Sequence, residues 1–134
     1  MWDTEQPGPQ AKLSGGLVTI PQNERVTEAA RWMHENRVGC LVVVDDDRKM
    51  TGIISERDIL RWIGELTPET YFQRVGDVMT TEVISADPTT PLAEAQDRMA
   101  EHGIRHLPVV EDGILVGMIS MRDLVSREVR EISV

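Results

Sequence analysis

Three short apolar runs dominate the first half of the chain. Residues 17–20, 40–44 and 50–54 are rich in valine, isoleucine and leucine, and they are bounded by proline, glycine or the acidic turn DDDRK. Runs of this length and composition, separated by turn residues, predict β-strands.

An amphipathic pattern lies between the first two runs. Apolar residues recur at helical spacing from Val26 to Met33, which predicts a helix over residues 25–36. A second helix is predicted after Ser55, because its hydroxyl can accept the free amides of a first turn, and because Glu56 and Asp58 favour the positive end of a helix. The predicted order is β-α-β-β-α.

The same pattern returns from Glu82 onward, with a shift of about 65 positions. LVVV at residues 41–44 matches LPVV at 107–110, and GIISERD at 52–58 matches GMISMRD at 117–123. Thr90 and Pro91 predict the helix start in this copy, as an N-cap and a first helical residue. The duplication predicts an α+β fold of two tandem repeats, each with a small three-stranded sheet whose apolar face the other repeat would bury.

Length, charge and cysteine content narrow the class of protein. A chain of 134 residues suits one compact domain or two small lobes. The single cysteine, Cys40, excludes a disulfide framework and a cysteine-rich zinc site, and it suits the cytosol. The net charge of −9 disfavours nucleic acid and anionic membranes as partners. No apolar run approaches the roughly 18 residues that cross a bilayer, and the polar start MWDTEQPGPQ is not a signal peptide.

Four segments resemble the signature of paired cystathionine-β-synthase (CBS) domains, the Bateman module. They are GIISERDIL, VGDVMT, GIRHLPVV and LVGMISMRDLV, and the resemblance covers about residues 13 to 130. On this basis we expect a flexible arm at residues 1–12, a first repeat at 13–63, a connector at 64–74 and a second repeat at 75–134. The resemblance implies that the repeats pack through their sheets around a pseudo-two-fold axis and enclose two clefts.

The resemblance also implies a function. Members of the family bind adenosine-containing ligands in these clefts, including AMP, ADP, ATP, S-adenosylmethionine and NAD, and binding regulates a partner protein without performing chemistry. Carried onto this sequence, one cleft combines Ile53, Ser55 and Asp58 with Ile84, Arg105 and His106. The other combines Met118, Ser120 and Asp123 with Val18, Val38 and Gly39. Arg57 and Arg122 would add positive charge at the two sites.

The repeated aspartates, Asp58 and Asp123, carry the ligand prediction. A carboxylate can accept both cis hydroxyls of a ribose, and hydrogen bonds to a charged group contribute about 1.5 to 3 kcal/mol each. Free amides and a serine hydroxyl at a helix start can meet ribose or phosphate oxygens. The alternative is that serine and aspartate only cap a helix, and the repetition together with the resemblance favours ligand binding.

The two predicted clefts differ in charge. The second repeat has Arg105 and His106 where the first has Gly39 and Cys40, so only one cleft gains a guanidinium and an imidazole from this position. His106 either contacts a phosphate or forms a hydrogen bond at the repeat interface. Cys40 is interpreted as a small core residue rather than a reactive thiol.

Neither catalysis nor metal binding is predicted. The three histidines, His34, His102 and His106, lack the spacing of metal ligands, and no Ser-His-Asp or Cys-His pattern emerges. The expectation is a regulatory protein with no catalytic cofactor, no metal and no enzyme activity.

Apolar residues after the two aspartates predict a homodimer, because an isolated pair of repeats would leave them partly exposed. They are Ile59, Leu60, Trp62, Ile63, Leu124 and Val125. Tyr71 and Phe72 of the connector either cover the repeat interface or, with Trp62, join a dimer contact. The alternative function is a ligand-independent scaffold that uses the fold only for association.

Overall fold

The computed structural model describes residues 12–13 and 17–120, which divide into one compact unit that ends at Val83 and a second that begins at Ile84. The strands are β1 (Lys12–Leu13), β2 (Leu17–Ile20), β3 (Cys40–Val44), β4 (Met50–Ser55), β5 (His106–Glu111) and β6 (Ile114–Ser120). The helices are α1 (Val26–Asn36), α2 (Glu56–Gly64), α3 (Val75–Val78) and α4 (Leu92–His102), with a 3-10 helix at Thr70–Phe72.

The sheet of the first unit has the strand order β1-β2-β3-β4. Strand β2 runs parallel to β3, and the other neighbours are antiparallel. Helix α1 is the crossover that a parallel pair requires. The order β-α-β-β-α predicted for the first repeat is confirmed, and the short β1 is an addition that the sequence did not reveal.

One face of α1 covers the core of the first unit. Val26, Ala29, Trp32 and Met33 are buried at helical spacing, as the amphipathic pattern predicts. The helix starts after Arg25, one residue later than predicted, and ends at Asn36. The C-cap that follows is Arg37, whose φ of 55° is left-handed. This core also contains β2, β3, β4 and two residues of α2.

Helix α2 presents two different faces. Ile59 and Trp62, three residues apart, are buried in the core of the first unit, whereas Leu60 is 70% and Ile63 54% exposed. The sequence predicted that all four side chains would lie in one partly exposed patch, and that prediction was wrong for Ile59 and Trp62. Residues three apart share a helix face, so one pair points to the core and the other to the surface.

The segment after the 3-10 helix packs on the first unit. Val75 is fully buried in its core, and the Val75 amide donates to the carbonyl of Glu24 at 2.7 Å. Thr80 forms an isolated antiparallel bridge with Ile53 of β4, through hydrogen bonds of 2.9 and 3.0 Å. Residues 75–80 therefore pack on the first unit, and the prediction that the second repeat begins at residue 75 stays a prediction.

The second unit repeats the hairpin of the first. His106 pairs with Ser120 and Leu107 with Ile119, as Cys40 pairs with Ser55 and Leu41 with Ile54. Both hairpins have a register shift near their turn. Five residues separate Val44 from Met50 in the first hairpin, and four separate Val110 from Leu115 in the second. The offset between the repeats consequently falls by one residue at the turn.

The first strand of the second repeat is reduced to a single parallel bridge between Ala86 and Val109. The Ala86 amide donates to Pro108 at 2.9 Å, and its carbonyl accepts from Val110 at 2.8 Å. A three-stranded sheet was expected in each repeat, and within the described residues the second unit has a two-stranded sheet with this bridge beside it. Pro88 lacks an amide hydrogen and follows closely, which limits further pairing.

Helix α4 starts one residue later than predicted. Its N-cap is Pro91, with an extended ψ of 147°, and Leu92 is the first helical residue. The prediction of Thr90 as N-cap was wrong because the Thr90 hydroxyl accepts the amide of Asp87 at 3.1 Å and closes a turn. The helix predicted to follow β6 falls on residues 121–134, outside the described part.

Candidate functional site

The carboxylate of Asp58 lies at the start of α2 and is buried. Asp58 is 5% exposed, and it is the one buried charged residue in the described part of the chain. Oδ2 accepts the Ser55 amide at 3.0 Å and the Ser55 hydroxyl at 3.1 Å, while Oδ1 accepts Nη2 of Arg61 at 3.0 Å. Burying a charge is costly unless it is paired and hydrogen-bonded, and these three bonds provide that compensation.

Ser55 and Asp58 form a reciprocal capping box. The Ser55 hydroxyl accepts the Asp58 amide at 3.3 Å, and the Asp58 side chain accepts the Ser55 amide. This confirms Ser55 as the N-cap of α2. The local geometry thus satisfies the helix-capping alternative, while leaving a buried carboxylate beside the positive end of a helix.

The neighbours of this helix start differ in exposure. Arg57 is exposed, and Ile53 is partly buried with both backbone groups bonded to Thr80. The carbonyl of Gly39 accepts the Glu56 amide at 3.0 Å, which ties the start of β3 to the first turn of α2. Four of the predicted site residues therefore lie near the start of α2 in the first unit: Gly39, Ile53, Ser55 and Asp58.

Val18 and Val38 lie elsewhere in that unit. Val18 is 1% exposed and is part of the core cluster. Val38 is partly buried and packs against the same cluster. The side chain of Val18 is thus buried in the core of the first unit. Its role as a residue that lines a cleft stays a prediction.

The predicted residues of the second unit gather around its hairpin. Arg105 is exposed immediately before β5, whereas His106 is partly buried and pairs in register with Ser120. Met118 stands opposite Pro108 in the hairpin, and Ile84 packs against the small core of the unit. Arg122 and Asp123 lie outside the described residues. Each predicted cleft joins residues of both units and stays a prediction.

Cys40 is a core residue, as predicted. It is 7% exposed at the start of β3, in register with Ser55. Burial, followed by the negative charge of Glu56, raises the pKa of the Cys40 thiol to about 12. At neutral pH the thiol is protonated, so it packs as a small apolar group.

Sequence reasoning missed Arg61 as a partner of the site. The signal was available, because Asp58 and Arg61 are three residues apart on one predicted helix, a spacing at which opposite charges meet. The side chain of Arg61 is 57% exposed and that of Asp58 only 7%. The pair therefore connects a buried carboxylate to the surface.

The described residues hold no group of three or more His, Cys, Asp or Glu side chains placed to bind a metal ion. None of their helices combines the length and the apolar character that a membrane span requires.

Comparisons with known proteins identify two copies of one domain. The family model of the CBS domain matches residues 13–65 and 75–130. The chain is 37% identical over 121 residues to the CBS domain-containing protein CBSX3, mitochondrial, of Arabidopsis thaliana, covering 87% of this chain and 59% of that protein. It is 35% identical over 113 residues to the CBS domain-containing protein YhcV of Bacillus subtilis, covering 81% of this chain and 76% of YhcV. The chain thus spans less than two thirds of the plant relative.

A solved structure extends the comparison to a ligand. The crystal structure of CBSX2 in complex with AMP matches with a TM-score of 0.76 and 29% sequence identity, covering 85% of this chain and 88% of that chain. A similar protein with the same fold therefore binds AMP.

Proposed function

Because this chain belongs to the CBS-domain family, a family of regulatory modules, we propose that it binds an adenosine-containing ligand and signals the occupancy of its site to a partner protein. AMP is the first candidate, since CBSX2, a similar protein, is found in complex with AMP. ADP, ATP, NAD and S-adenosylmethionine share the adenosyl group and are further candidates. The proposed role is binding and regulation, with no catalysed reaction.

The buried carboxylate of Asp58 is the observation that carries this proposal. A carboxylate that accepts the amide at a helix start does not require burial, because Asp77 accepts the Arg74 amide at 2.9 Å at the start of α3 while exposed. Asp58 differs from Asp77 in being almost fully withdrawn from water. A carboxylate in such a place binds hydroxyl donors strongly, because water does not compete for it.

We assign Asp58 to the ribose and the neighbouring backbone to the rest of the ligand. Arg105 and His106 would supply the phosphate contacts, and Ile53 and Ile84 an aliphatic surface for adenine. An aromatic sandwich is disfavoured, because only 4% of the chain is aromatic. The second cleft would use Asp123, Ser120 and Arg122 in the same roles.

Helix α2 offers a route from the ligand to a partner. Its first turn contains Asp58, and its exposed face contains Leu60 and Ile63 two and five residues further on. A ligand that pulls on the first turn would shift that face as part of the same rigid helix. We propose this face as the contact of a homodimer, and the regulated protein as a further partner. A cytosolic location completes the proposal, since a free cysteine suits a reducing compartment.

A ligand-independent scaffold is the second candidate function. The exposed apolar side chains of residues 60–72 favour it, namely Leu60, Ile63, Leu66, Tyr71 and Phe72. Such a cluster is typical of an association surface. A scaffold would associate equally well with and without a nucleotide.

Calorimetric titration with AMP tests the proposed function. AMP has on the order of 23 non-hydrogen atoms, and about 0.3 kcal/mol per atom corresponds to a dissociation constant near 10 μM. Asp58→Ala should weaken binding roughly a hundredfold, because two charge-assisted hydrogen bonds are lost. Asp77→Ala, which removes an exposed carboxylate that accepts the Arg74 amide, should bind AMP like the unchanged protein.

The result can also contradict the proposal. If AMP, ADP, ATP, NAD and S-adenosylmethionine produce neither heat nor a thermal shift at millimolar concentration, the protein is not a sensor of adenosine compounds. Equal effects of Asp58→Ala and Asp77→Ala would indicate that Asp58 acts only through helix capping.

A further inference from the structure

We infer that Arg61 competes with the ribose of the ligand for the carboxylate of Asp58, and that this competition sets the affinity of the site. The inference deepens the proposed function and rests on it. It assigns an affinity-determining role to a residue outside the repeated motif, one helical turn beyond its aspartate.

The number of acceptor positions on Asp58 is the first argument. A carboxylate offers roughly four lone-pair sites. In the described structure three hydrogen bonds reach it, two from Ser55 to Oδ2 and one from Arg61 to Oδ1. Two cis hydroxyls of a ribose need two acceptor sites. At least one of the present donors must therefore leave before both hydroxyls can bind.

The three donors are not equally easy to remove. The Ser55 amide belongs to the capping box and is fixed by the backbone of the helix start. The Ser55 hydroxyl also accepts the Asp58 amide, so it is held on two sides. Arg61 is held by one hydrogen bond to this carboxylate, and more than half of its side chain is exposed. Water can replace the bond that Arg61 loses, so Arg61 is the donor that leaves at the smallest cost.

Charge acts in the same direction. The guanidinium of Arg61 neutralises part of the negative charge on Oδ1 while the two are in contact, which makes the carboxylate a weaker acceptor for hydroxyl groups. When Arg61 turns into solvent, both the free lone pair and the full negative charge become available to the ribose. Arg61 is accordingly an internal competitor with the same binding position as a ribose hydroxyl.

Adenosine is the appropriate probe because it is neutral and carries the ribose without a phosphate. Arg61→Met keeps a long apolar stem and removes every donor. We expect this variant to bind adenosine about two- to fivefold more tightly than the unchanged protein, the range that corresponds to breaking an exposed ion pair. Arg31→Met is the matched control, because Arg31 also contacts a carboxylate three residues away, Glu28, on an exposed helix face.

The salt dependence of adenosine binding is a second readout, and a purely structural role of Arg61 would not affect it. Raising sodium chloride from about 50 mM to about 500 mM shortens the screening length and weakens the pair of Arg61 and Asp58. Adenosine should then bind more tightly to the unchanged protein and to Arg31→Met. Its affinity for Arg61→Met should not respond to salt, because the competitor is absent.

The outcomes separate this inference from the proposed function. Adenosine binding that is unchanged or weaker in Arg61→Met, or a salt response that persists in it, overturns the competition and leaves the sensor function intact. An equal gain in Arg31→Met also overturns it, since the effect would then come from net charge alone. If no form of the protein binds adenosine or AMP, the proposed function fails and the competition fails with it.

Discussion

Gly52 lies so close to Met79 that a β-carbon at position 52 would stand 2.7 Å from the sulfur of Met79 and 2.8 Å from the carbonyl oxygen of Thr80. Thr80 cannot retreat without breaking its two backbone hydrogen bonds to Ile53. Gly117 occupies the same place in the second repeat, and there the nearest described atom is the β-carbon of Val109 at 3.8 Å. Among the described residues, packing therefore requires the glycine of the repeated motif at position 52 and not at position 117.

Gly52→Ala should destabilise the protein, and Gly117→Ala should not. We expect the free energy of unfolding to fall by about 1 to 3 kcal/mol in Gly52→Ala, the usual cost of overpacking a buried site. Gly117→Ala should change it by less than about 1 kcal/mol. Urea denaturation of both variants measures the difference, and equal losses would show that residues 79–80 do not press on β4.

Cys40 should make stability fall at alkaline pH. Its pKa is 9.0 in an unfolded chain and about 12 in the folded protein, so between these values the unfolded chain loses a proton that the folded protein keeps. Ionisation then stabilises the unfolded state, and the free energy of unfolding decreases as pH rises through this window. From pH 8 to pH 10 the decrease due to this group is about 1.4 kcal/mol.

Urea denaturation at the two pH values measures this effect. Cys40→Ala lacks the thiol, so its decrease between pH 8 and pH 10 should be smaller by that amount. An identical decrease in both proteins would mean that the thiol ionises as readily in the folded chain as in the unfolded one.

The exposed face of α2 should support a homodimer. We expect the unchanged protein to sediment as a dimer at micromolar concentration, and Leu60→Glu with Ile63→Glu to sediment as a monomer. Both side chains are more than half exposed, so their replacement should leave the fold intact. Leu92→Glu is the control, because Leu92 is an apolar residue of α4 that is 37% exposed. A monomer for the unchanged chain, with and without AMP, contradicts this prediction.

Arg105 should distinguish ligands by their phosphate. If its exposed guanidinium contacts only the phosphate, Arg105→Ala should weaken AMP binding and leave adenosine binding nearly unchanged. Titrations with both ligands measure the ratio, and equal losses of AMP and adenosine would remove the phosphate role from Arg105.

The two aspartates should also differ. Asp123→Ala is expected to leave the tight AMP site nearly intact, since the predicted cleft of Asp123 faces Gly39 and Cys40 instead of Arg105 and His106. If Asp123→Ala abolishes tight binding while Asp58→Ala has no effect, the clefts are assigned in the wrong order.

Strands and helices with regular apolar patterns could be predicted from the sequence. The strands at residues 17–20 and 40–44 match the prediction, and α1 differs by one residue at its start. Elements that depend on tertiary contacts could not be predicted. Helix α3 has only four residues and is placed by the contacts of Val75 with the first core, and no periodicity is visible in so short a segment.

The candidate site could likewise be predicted only in part from the sequence. Repetition identified Ser55 and Asp58, and the structure places both at the start of α2. It did not identify Arg61, because the corresponding position after Asp123 is Ser126, and a motif found by comparing two copies contains only what both copies share. The burial that distinguishes Asp58 from Asp77 was also invisible, since it depends on packing around the helix and not on local sequence.

The contacts of residues 75–80 with the first unit also determine the order in which a growing chain can fold. On the ribosome, the residues of β2, α1, β3, β4 and α2 emerge first, yet the core that they share lacks Val75 until the connector has followed. The outer side of β4 stays unpaired at Ile53 until Thr80 has emerged as well. A nascent chain that has emerged from the ribosome only as far as residues 65–74 would therefore carry an open core and an exposed strand edge, which is the form in which chaperones would meet it.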